Sequence, residues 1–381
     1  MLGIYGWNLG YKECRGDSSL TFITDSTSTS ITTSKLSLPT ILCSIHSKTS
    51  ICKRAFTEMA TTNFGFSTTA EEVADHFKDQ IKGKTILITG ASPNGIGLAA
   101  ACAFAPHSPG LLILAGRSPA TLSAAAAEIA KLAPTCPTKI LTLDLSSLAT
   151  ARVAATEFNS WIDVPSLDIL INNAGIMSTP WGKSADGIEQ QFATNHIAPF
   201  LFTNLIMPKI IAAHGRIVNL SSAGHRFGPV RFNDHNFADG KEYQPEAAYG
   251  QSKTANILYA VALAKNESLR EKGVTAFSVH PGVIATNIGR HVPFEVLVER
   301  KVLKEDGTPN NEGPWKFKTH SQGAATTMVA ALDPEIKGQN GAYLADGRIG
   351  GEEVQEYAVD KGNARKLWEL SEELVGEKFD F

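Results

Sequence analysis

The sequence predicts an α/β fold: a single domain with a doubly wound, mostly parallel seven-stranded sheet and helices on both faces. Two observations predict it. Short apolar runs rich in Ile, Leu and Val alternate with longer helical segments, as in successive βαβ units. The first run, Lys84 to Thr89, leads through a glycine-containing turn into an Ala-rich helical segment. This order of elements is typical of a phosphate-binding turn.

The composition argues against several classes of protein. The chain has 381 residues, of which 43% are hydrophobic and 19% are charged, and its net charge is −3. That balance is typical of a soluble globular protein and favours no nucleic-acid partner. No apolar run is long enough for a transmembrane span. The five cysteines show no metal-binding spacing, so we expect no metal site and the reduced thiols of an intracellular protein.

The first 58 residues differ from the rest. The stretch from Ser26 to Thr57 is rich in Ser and Thr and contains no Asp or Glu. Such a stretch buries little apolar surface, so we predict a disordered extension over residues 1–58 and a folded domain over 59–381. We expect a cytoplasmic protein. The extension fits an unstructured tail or a transit peptide to mitochondria. It also fits a start codon assigned too early, since the segment after Met59 looks like an ordinary protein start.

The turn after the first strand has the residues needed to hold a phosphate. Glycine lets the backbone approach a ligand closely, and the N–H groups and dipole of the next helix stabilise negative charge. Because a helix from Leu98 to Ala105 follows, we favour a ligand over a simple βα turn. The predicted contacts are Gly90, Ser92, Gly95, Ile96 and Gly97.

The next two strands end in residues suited to the adenosine half of a dinucleotide. The second strand, Leu111 to Ala115, is followed by Arg117, where an NAD site usually has an acid. A guanidinium binds a 2′-phosphate, so this position favours NADP(H). The third strand, Lys139 to Leu143, ends in Asp144 and Leu145. The Asp144 carboxylate either contacts the adenine or caps the following helix.

The fourth strand, Leu167 to Ile171, is followed by two amides and two small residues. Asn172 and Asn173 either tie strand ends together or contact the ligand. Ala174 and Gly175 leave room for a ribose.

Two polar positions follow in the middle of the chain. The sequence predicts one long helix from Asp186 to Ile211. An unpaired Asn195 amide would be costly among its apolar residues, so we expect Asn195 either to hold a buried water or to distort the helix. His196 fits a packing role. Ser222 follows the fifth strand, Gly215 to Leu220, where its hydroxyl either donates to a substrate oxygen or caps a turn.

A Tyr/Lys pair opens the next predicted helix. Tyr249 and Lys253 stand four residues apart, so on a helix they share one face. A nearby ammonium favours the phenolate, and we therefore expect the pKa of Tyr249 to lie below its usual value near 10. Such a phenol exchanges a proton with a carbonyl or an alcohol. Alone, the pair is equally compatible with a surface helix.

The C-terminal part completes the predicted site. The sixth strand, Val274 to Val279, is followed by a Pro-Gly turn, and we expect this turn to grip a nicotinamide carboxamide through Pro281, Gly282, Ile284 and Thr286. Residues 287–319 show no clear period and predict a loop that sets substrate selectivity. The remaining predicted elements are a helix over 322–332, a last strand over 341–344 and a helix over 365–374.

Together these motifs resemble the short-chain dehydrogenase/reductase family, over roughly Ile81 to Ala345. The motifs are Thr-Gly-…-Gly-Ile-Gly at 89–97, Asn-Asn-Ala-Gly at 172–175, Tyr-x-x-x-Lys at 249–253 and Pro-Gly-…-Thr at 281–286. Ala-Gly-Arg at 115–117 and His-Pro-Gly-Val at 280–283 resemble the branch of retinol dehydrogenases and WW-domain oxidoreductases. Two features depart from the family: four residues separate the first two glycines of the turn, and the gap from Ser222 to Tyr249 is long.

The resemblance implies a Rossmann-type fold and a role for each site residue. Tyr249 would be the general acid/base, and Lys253 would lower its pKa and bind the nicotinamide ribose. Ser222 would hydrogen-bond the reacting oxygen, and Asn195 would hold a water that links Lys253 to solvent. The resemblance also implies NADP(H), a hydrophobic alcohol or carbonyl substrate, and it allows a homodimer formed through the Tyr249 helix.

We therefore expect an NADP(H)-dependent oxidoreductase that interconverts an alcohol with a ketone or aldehyde on a hydrophobic small molecule. Two alternatives stay open. One is a non-catalytic NADP(H)-sensing binding protein, which would not need the full set Asn195, Ser222, Tyr249 and Lys253. The other is an enoyl-type reductase.

Overall fold

An eight-stranded sheet is the centre of the computed structural model, which describes residues 64–350 and 354–381. These residues belong to one compact unit, Asn63–Phe381, and the predicted extension over 1–58 lies outside the described residues. The strands lie in the order β10-β9-β6-β5-β4-β1-β2-β3. They are β1 Thr85–Thr89, β2 Leu111–Gly116, β3 Thr138–Thr142, β4 Ile169–Asn172, β5 Arg216–Leu220, β6 Thr275–His280, β9 Tyr343–Ala345 and β10 Arg348–Ile349.

The mostly parallel, doubly wound sheet is confirmed, but the predicted count of seven strands was wrong. Seven strands pair in parallel, and β10 adds an antiparallel edge strand to β9. Asp346 and Gly347 form the connecting turn, with φ of 49° and 70°. A two-residue strand is too short to produce an alternating pattern. A separate pair, β7 Val283–Ile284 and β8 Phe317–Lys318, is parallel as well.

Helices cover both faces of the sheet, because alternate strand residues enter two different cores. Leu87 of β1 packs in one core, whereas its neighbours Ile86 and Ile88 pack in the other. The helices are α1 Ala70–His76, α2 Lys78–Ile81, α3 Ile96–Phe104, α4 Pro119–Leu132, α5 Leu148–Ser160, α6 Gln190–Phe192, α7 Ala198–Leu205, α8 Met207–Ala212, α9 Pro245–Lys265, α10 Glu267–Glu271, α11 Phe294–Glu299, α12 His320–Leu332, α13 Glu356–Val359 and α14 Lys361–Val375.

The single helix predicted over 186–211 is wrong at its start and in its middle. Helix α6 begins at Gln190, where the buried Glu189 carboxylate accepts from the N–H groups of Gln191 and Phe192 at 2.9 and 2.7 Å. A π-helical segment, Ala193–Ile197, separates α6 from α7. Burial raises the pKa of Glu189 to about 7, because a carboxylate in an apolar environment loses its hydration.

The helix that carries Tyr249 is buried on almost every side. All residues from Ala248 to Val261 in α9 are buried. The C-terminal helix α14 covers its outer face, where Trp368 lies 5.1 Å from the ring of Phe200 and 6.1 Å from that of Tyr259. His196 is packed there too, 2.9 Å from the Ser371 hydroxyl, which confirms its packing role.

The residues between 287 and 319 contain more regular secondary structure than the loop that their sequence pattern predicts. They contain a 3₁₀ turn, Asn287–Gly289, and helix α11, and they end at strand β8. Arg300 pairs with Glu246 in the first turn of α9 at 3.1 Å. Across the described residues, no helix is long and apolar enough to cross a membrane, and no cluster of three or more His, Cys, Asp or Glu side chains could hold a metal.

Candidate active site

Three of the predicted catalytic residues meet at the carboxyl end of β5. Tyr249 and Lys253 occupy the first turns of α9 and are buried. The Lys253 ammonium donates to the Leu220 carbonyl at 2.9 Å and lies 5.6 Å from the centre of the Tyr249 ring. Ser222 follows β5, and its hydroxyl interacts with the Tyr249 phenol. The same hydroxyl accepts from the Gly224 N–H at 3.0 Å, so the capping role is present as well.

The pKa of Tyr249 is raised to about 12, because burial disfavours the phenolate more than the Ser222 hydrogen bond favours it. Burial also lowers the pKa of Lys253 to about 8. The expectation of a lowered phenol pKa is therefore wrong for this structure. Both groups are removed from water, and desolvation is the largest cause of each shift.

Asn195 lies next to Gly175, as Lys253 does. Its Oδ1 accepts from the Ile176 N–H at 2.8 Å, and its Nδ2 donates to the Ile176 carbonyl and to the Ser252 hydroxyl, each at 2.9 Å. A Cβ on Gly175 would stand 3.1 Å from Asn195 Oδ1 and 3.5 Å from Lys253 Nζ. The predicted helix distortion is confirmed by the π-helical segment around Asn195, while the water-holding role stays a prediction.

The glycine turn forms a cradle that side chains would fill. Gly90 has φ +71°, and a Cβ there would stand 2.8 Å from Ala174 Cα. A Cβ on Gly97 would stand 2.5 Å from Asn173 Nδ2 and 2.8 Å from the Gly90 carbonyl. Gly95 precedes α3, which begins at Ile96 without a side-chain cap. The free N–H groups of this first turn and the bare backbone fit a dinucleotide phosphate.

The extra residue in this turn is absorbed locally. The Gly95 N–H donates to the Ser92 carbonyl at 3.1 Å, and Asn94 adopts φ +57°. The insertion therefore bulges between Ser92 and Gly95 and leaves the start of α3 in place.

The two amides at the end of β4 tie strand ends together, as one of the two interpretations expects. Asn172 Nδ2 donates to Asn219 Oδ1 on β5 at 2.9 Å. Asn173 Nδ2 donates to the carbonyls of Thr89 and Gly90 at 2.7 and 3.1 Å. These bonds place Ala174 and Gly175 against the glycine turn.

The predicted adenosine contacts lie at neighbouring strand ends. Arg117 is exposed directly after β2, and Leu145 is buried in the core. Asp144 Oδ1 accepts from the Ser146 N–H at 3.0 Å, whereas Ser147 caps α5. Asp144 therefore stabilises a turn. The prediction that it caps the helix was wrong, because the capping residue lies three positions later in the chain.

The Pro281–Thr286 loop meets the glycine turn. A Cβ on Gly323 of α12 would stand 2.7 Å from Ile284 Cγ1 and 3.1 Å from Ile96 Cγ2, so the two isoleucines flank the same glycine. Gly282 has φ +95°, and the Thr286 hydroxyl accepts from the Ile288 N–H at 3.4 Å. The loop thus closes the nicotinamide side of the predicted site.

Three residues behind this loop have no role predicted from the sequence: His280, Lys318 and Asp346. His280 adjoins the Pro-Gly turn, which was an available signal. Lys318 and Asp346 form an ion pair at 2.5 Å and are 28 residues apart in the sequence. No local sequence pattern predicts a pair between residues so far apart.

Comparisons with known proteins show which family this chain is similar to. The family model described as short chain dehydrogenase matches residues 84–234. Short-chain dehydrogenase TIC 32 B, chloroplastic, of Brassica napus is 39% identical over 323 residues, covering 82% of this chain and 94% of that protein. Retinol dehydrogenase 14 of Homo sapiens is 36% identical over 309 residues, covering 77% and 87%. A solved structure of an uncharacterized protein from Mycobacterium paratuberculosis is 28% identical, with a TM-score of 0.60, covering 79% of this chain and 96% of that chain.

Proposed function

The chain belongs to the short-chain dehydrogenase/reductase family, and we propose that it is an NADP(H)-dependent oxidoreductase that interconverts an alcohol with a ketone or aldehyde on a hydrophobic small molecule. The family makes it an alcohol/carbonyl oxidoreductase that uses a nicotinamide cofactor. The cofactor type, the catalytic roles and the substrate are our proposals. One observation carries them: Tyr249, Lys253 and Ser222 converge beside the glycine cradle and the Pro281–Thr286 loop.

The residues divide the work of carbonyl reduction. A bound reduced nicotinamide supplies the hydride. Ser222 donates a hydrogen bond to the carbonyl oxygen, and Tyr249 transfers its phenolic proton to that oxygen. Lys253, fixed to β5 by its bond to Leu220, binds the ribose hydroxyls with its ammonium. Asn195, buried next to Gly175 as Lys253 is, holds the water through which Tyr249 regains its proton.

Arg117 supports NADP(H) over NAD. It is exposed at the end of β2, the strand next to β1 and its glycine turn. A planar guanidinium matches a 2′-phosphate with two parallel hydrogen bonds. The ribose hydroxyl of NAD would gain no such ion pair.

Exposed aromatic side chains support a hydrophobic substrate. Phe227 is 51% exposed and ends the 3₁₀ segment that begins after Ser222. Phe294 and Trp315, in residues 287–319, are 45% and 39% exposed. Trp181 covers Gly240 and contacts the ring of Tyr243 at 5.3 Å. An apolar alcohol or aldehyde gains free energy by covering such surface, and a retinol dehydrogenase is among the relatives.

One assay tests the proposal against both alternatives. The full chain is mixed with NADPH and a panel of ketones, aldehydes and enones, and the loss of reduced-nicotinamide absorbance is followed while products are identified. We expect reduction of carbonyl groups. Reduction of only the enone C=C bonds would identify an enoyl-type reductase. Tight NADPH binding with no turnover of any compound would identify a sensor.

We propose a cytoplasmic location, with organellar targeting as the alternative. The alternative rests on the Ser/Thr-rich composition of residues 26–57 and on the chloroplastic relative. A fluorescent fusion of the full chain, compared with one that begins at Met59, decides between them. Organellar fluorescence from the full chain alone would overturn the cytoplasmic proposal.

For the assembly, the buried helix α9 argues against the homodimer that the family resemblance allows. Its residues 248–261 are buried within the same chain, and α14 occupies the outer face through Trp368. We infer that α14 replaces a second copy at this face.

A further inference from the structure

Lys318 supports the Pro281–Thr286 loop from behind. Its backbone pairs with Ile284 in the β7–β8 ladder, and its stem packs under Gly282, where a Cβ would stand 2.7 Å from Lys318 Cδ. The side chain is 1% exposed, and its ammonium forms the 2.5 Å ion pair with Asp346. The ring of Phe66 covers the ammonium at 4.9 Å. A buried ammonium without its partner would be strongly unfavourable.

His280 ties the same loop to the Ser222 turn. Its Nδ1 accepts from the Ala223 N–H at 3.1 Å and from the Gly282 N–H at 3.4 Å. An Nδ1 that accepts requires a neutral ring with its proton on Nε2. Burial lowers the pKa of His280 to about 4; the charges of Lys318, Arg226 and His225 act in the same direction, and Asp346 opposes them. The ring is therefore neutral at physiological pH.

Asp346 connects the two supports. It directly follows Ala345, which pairs with His280 between β9 and β6. Asp346 thus places its carboxylate beside the end of β6, where the loop begins. Packing alone would need only an apolar side chain at position 318. An ion pair additionally fixes the direction of the side chain, as buried polar pairs do in other folds.

We propose that His280, Lys318 and Asp346, here named the loop clamp, set the separation between the Pro281–Thr286 loop and Ser222. The loop grips the nicotinamide end of the cofactor, and Ser222 holds the reacting oxygen, so the clamp fixes the distance from hydride donor to carbonyl. This inference rests on the proposed function. The three side chains act through the loop and the serine turn, and they are positioning residues.

The first test removes the ion pair. Lys318→Met keeps the length of the side chain and removes its charge, and Lys316→Met, at an exposed position on the same segment, is the matched control. NADPH affinity is measured by nucleotide fluorescence and folding by thermal unfolding. We expect Lys318→Met to raise the dissociation constant about tenfold and Lys316→Met to leave it unchanged. Asp346→Asn should raise the dissociation constant as Lys318→Met does. The dissociation constant of the double variant should not exceed that of the more severely affected single variant, because the two changes remove one shared interaction.

The second test separates positioning from folding. His280→Asn keeps an acceptor near the position of Nδ1, whereas His280→Leu removes it. We expect His280→Leu to lower kcat for carbonyl reduction at least tenfold with a smaller change in KM, and His280→Asn to restore most of it. Equal losses in the two variants would overturn the role of the acceptor.

The outcomes also distinguish the clamp from the proposed function. Wild-type NADPH binding and carbonyl turnover, with an unchanged affinity in Lys318→Met, would overturn the clamp alone. A wild type that neither binds NADPH nor reduces any carbonyl would overturn the proposed function and the clamp with it.

Discussion

Lys253 holds its ammonium 5.6 Å from the centre of the Tyr249 ring while donating a 2.9 Å hydrogen bond to the Leu220 carbonyl. The lysine is thus anchored to the end of β5. Burial places the pKa of Tyr249 at about 12 and that of Lys253 at about 8. Below pH 8 the phenol is protonated and the ammonium is charged, which is the combination that carbonyl reduction needs.

Replacing Tyr249 with Phe should lower kcat for carbonyl reduction by roughly 10²- to 10⁴-fold, the usual contribution of a positioned acid. NADPH should still bind, because the ring remains in place. Tyr259→Phe is the control: it lies ten residues further along α9 and donates to Asn204 Oδ1 at 3.2 Å, remote from Ser222. Steady-state kinetics and nucleotide fluorescence measure the two effects. An active Tyr249→Phe protein would contradict the mechanism.

The pH dependence should differ between the two directions. Reduction needs the protonated phenol, which a pKa of about 12 preserves throughout the neutral range. Oxidation needs the phenolate, and its fraction rises about tenfold per pH unit below the pKa. We therefore expect kcat/KM for alcohol oxidation to climb from pH 6 to 8 while that for reduction stays flat. A plateau of the oxidation profile near pH 7 would indicate the lowered pKa predicted from the sequence.

Arg117→Ala should weaken NADPH binding by roughly 10- to 100-fold, since it removes charge-assisted hydrogen bonds to the 2′-phosphate. NADH binding should change little. Arg270→Ala, on the exposed surface of α10 and paired with Glu267 at 3.3 Å, controls for the loss of one positive charge. Calorimetric titration with both nucleotides checks the prediction, and equal losses for NADPH and NADH would refute it.

Gly97→Ala should destabilise the fold by about 1–3 kcal/mol and weaken cofactor binding. Its Cβ would stand 2.5 Å from Asn173 Nδ2 and 2.8 Å from the Gly90 carbonyl, so the cradle would have to open. Gly338→Ala is matched to it, because nothing lies within 4 Å of the added Cβ. Urea unfolding compares the two variants. Equal stabilities would show that the cradle yields easily.

The full chain should be a monomer of 40.8 kDa in light scattering, because α14 covers the outer face of α9. Trp368→Ala should cost about 3 kcal/mol of unfolding free energy, as it removes ring contacts to Phe200 and Tyr259. Trp315→Ala, whose ring is 39% exposed, should cost far less. A wild-type dimer at micromolar concentration would contradict the covering role of α14.

Much of this protein follows from local patterns in its sequence. The apolar runs predicted seven strands to within a few residues. The glycine turn after β1 predicted the cradle, because only glycine tolerates the φ of Gly90 and the close contacts of Gly97. The four-residue spacing of Tyr249 and Lys253 placed both on one helix face. These features depend on backbone geometry and periodicity, which neighbouring residues decide.

Other features arose only when distant segments packed together. Within the π-helical segment, Asn195 bonds to the distant Ile176 backbone. The Lys318–Asp346 pair joins β8 to the turn between β9 and β10. The pKa of Tyr249 moved upward, against the sequence-based expectation, because burial is a property of the assembled core. Sequence spacing determines which groups are neighbours along an element. The tertiary structure decides how much water each group keeps, and desolvation sets the pKa values and the strength of the ion pairs.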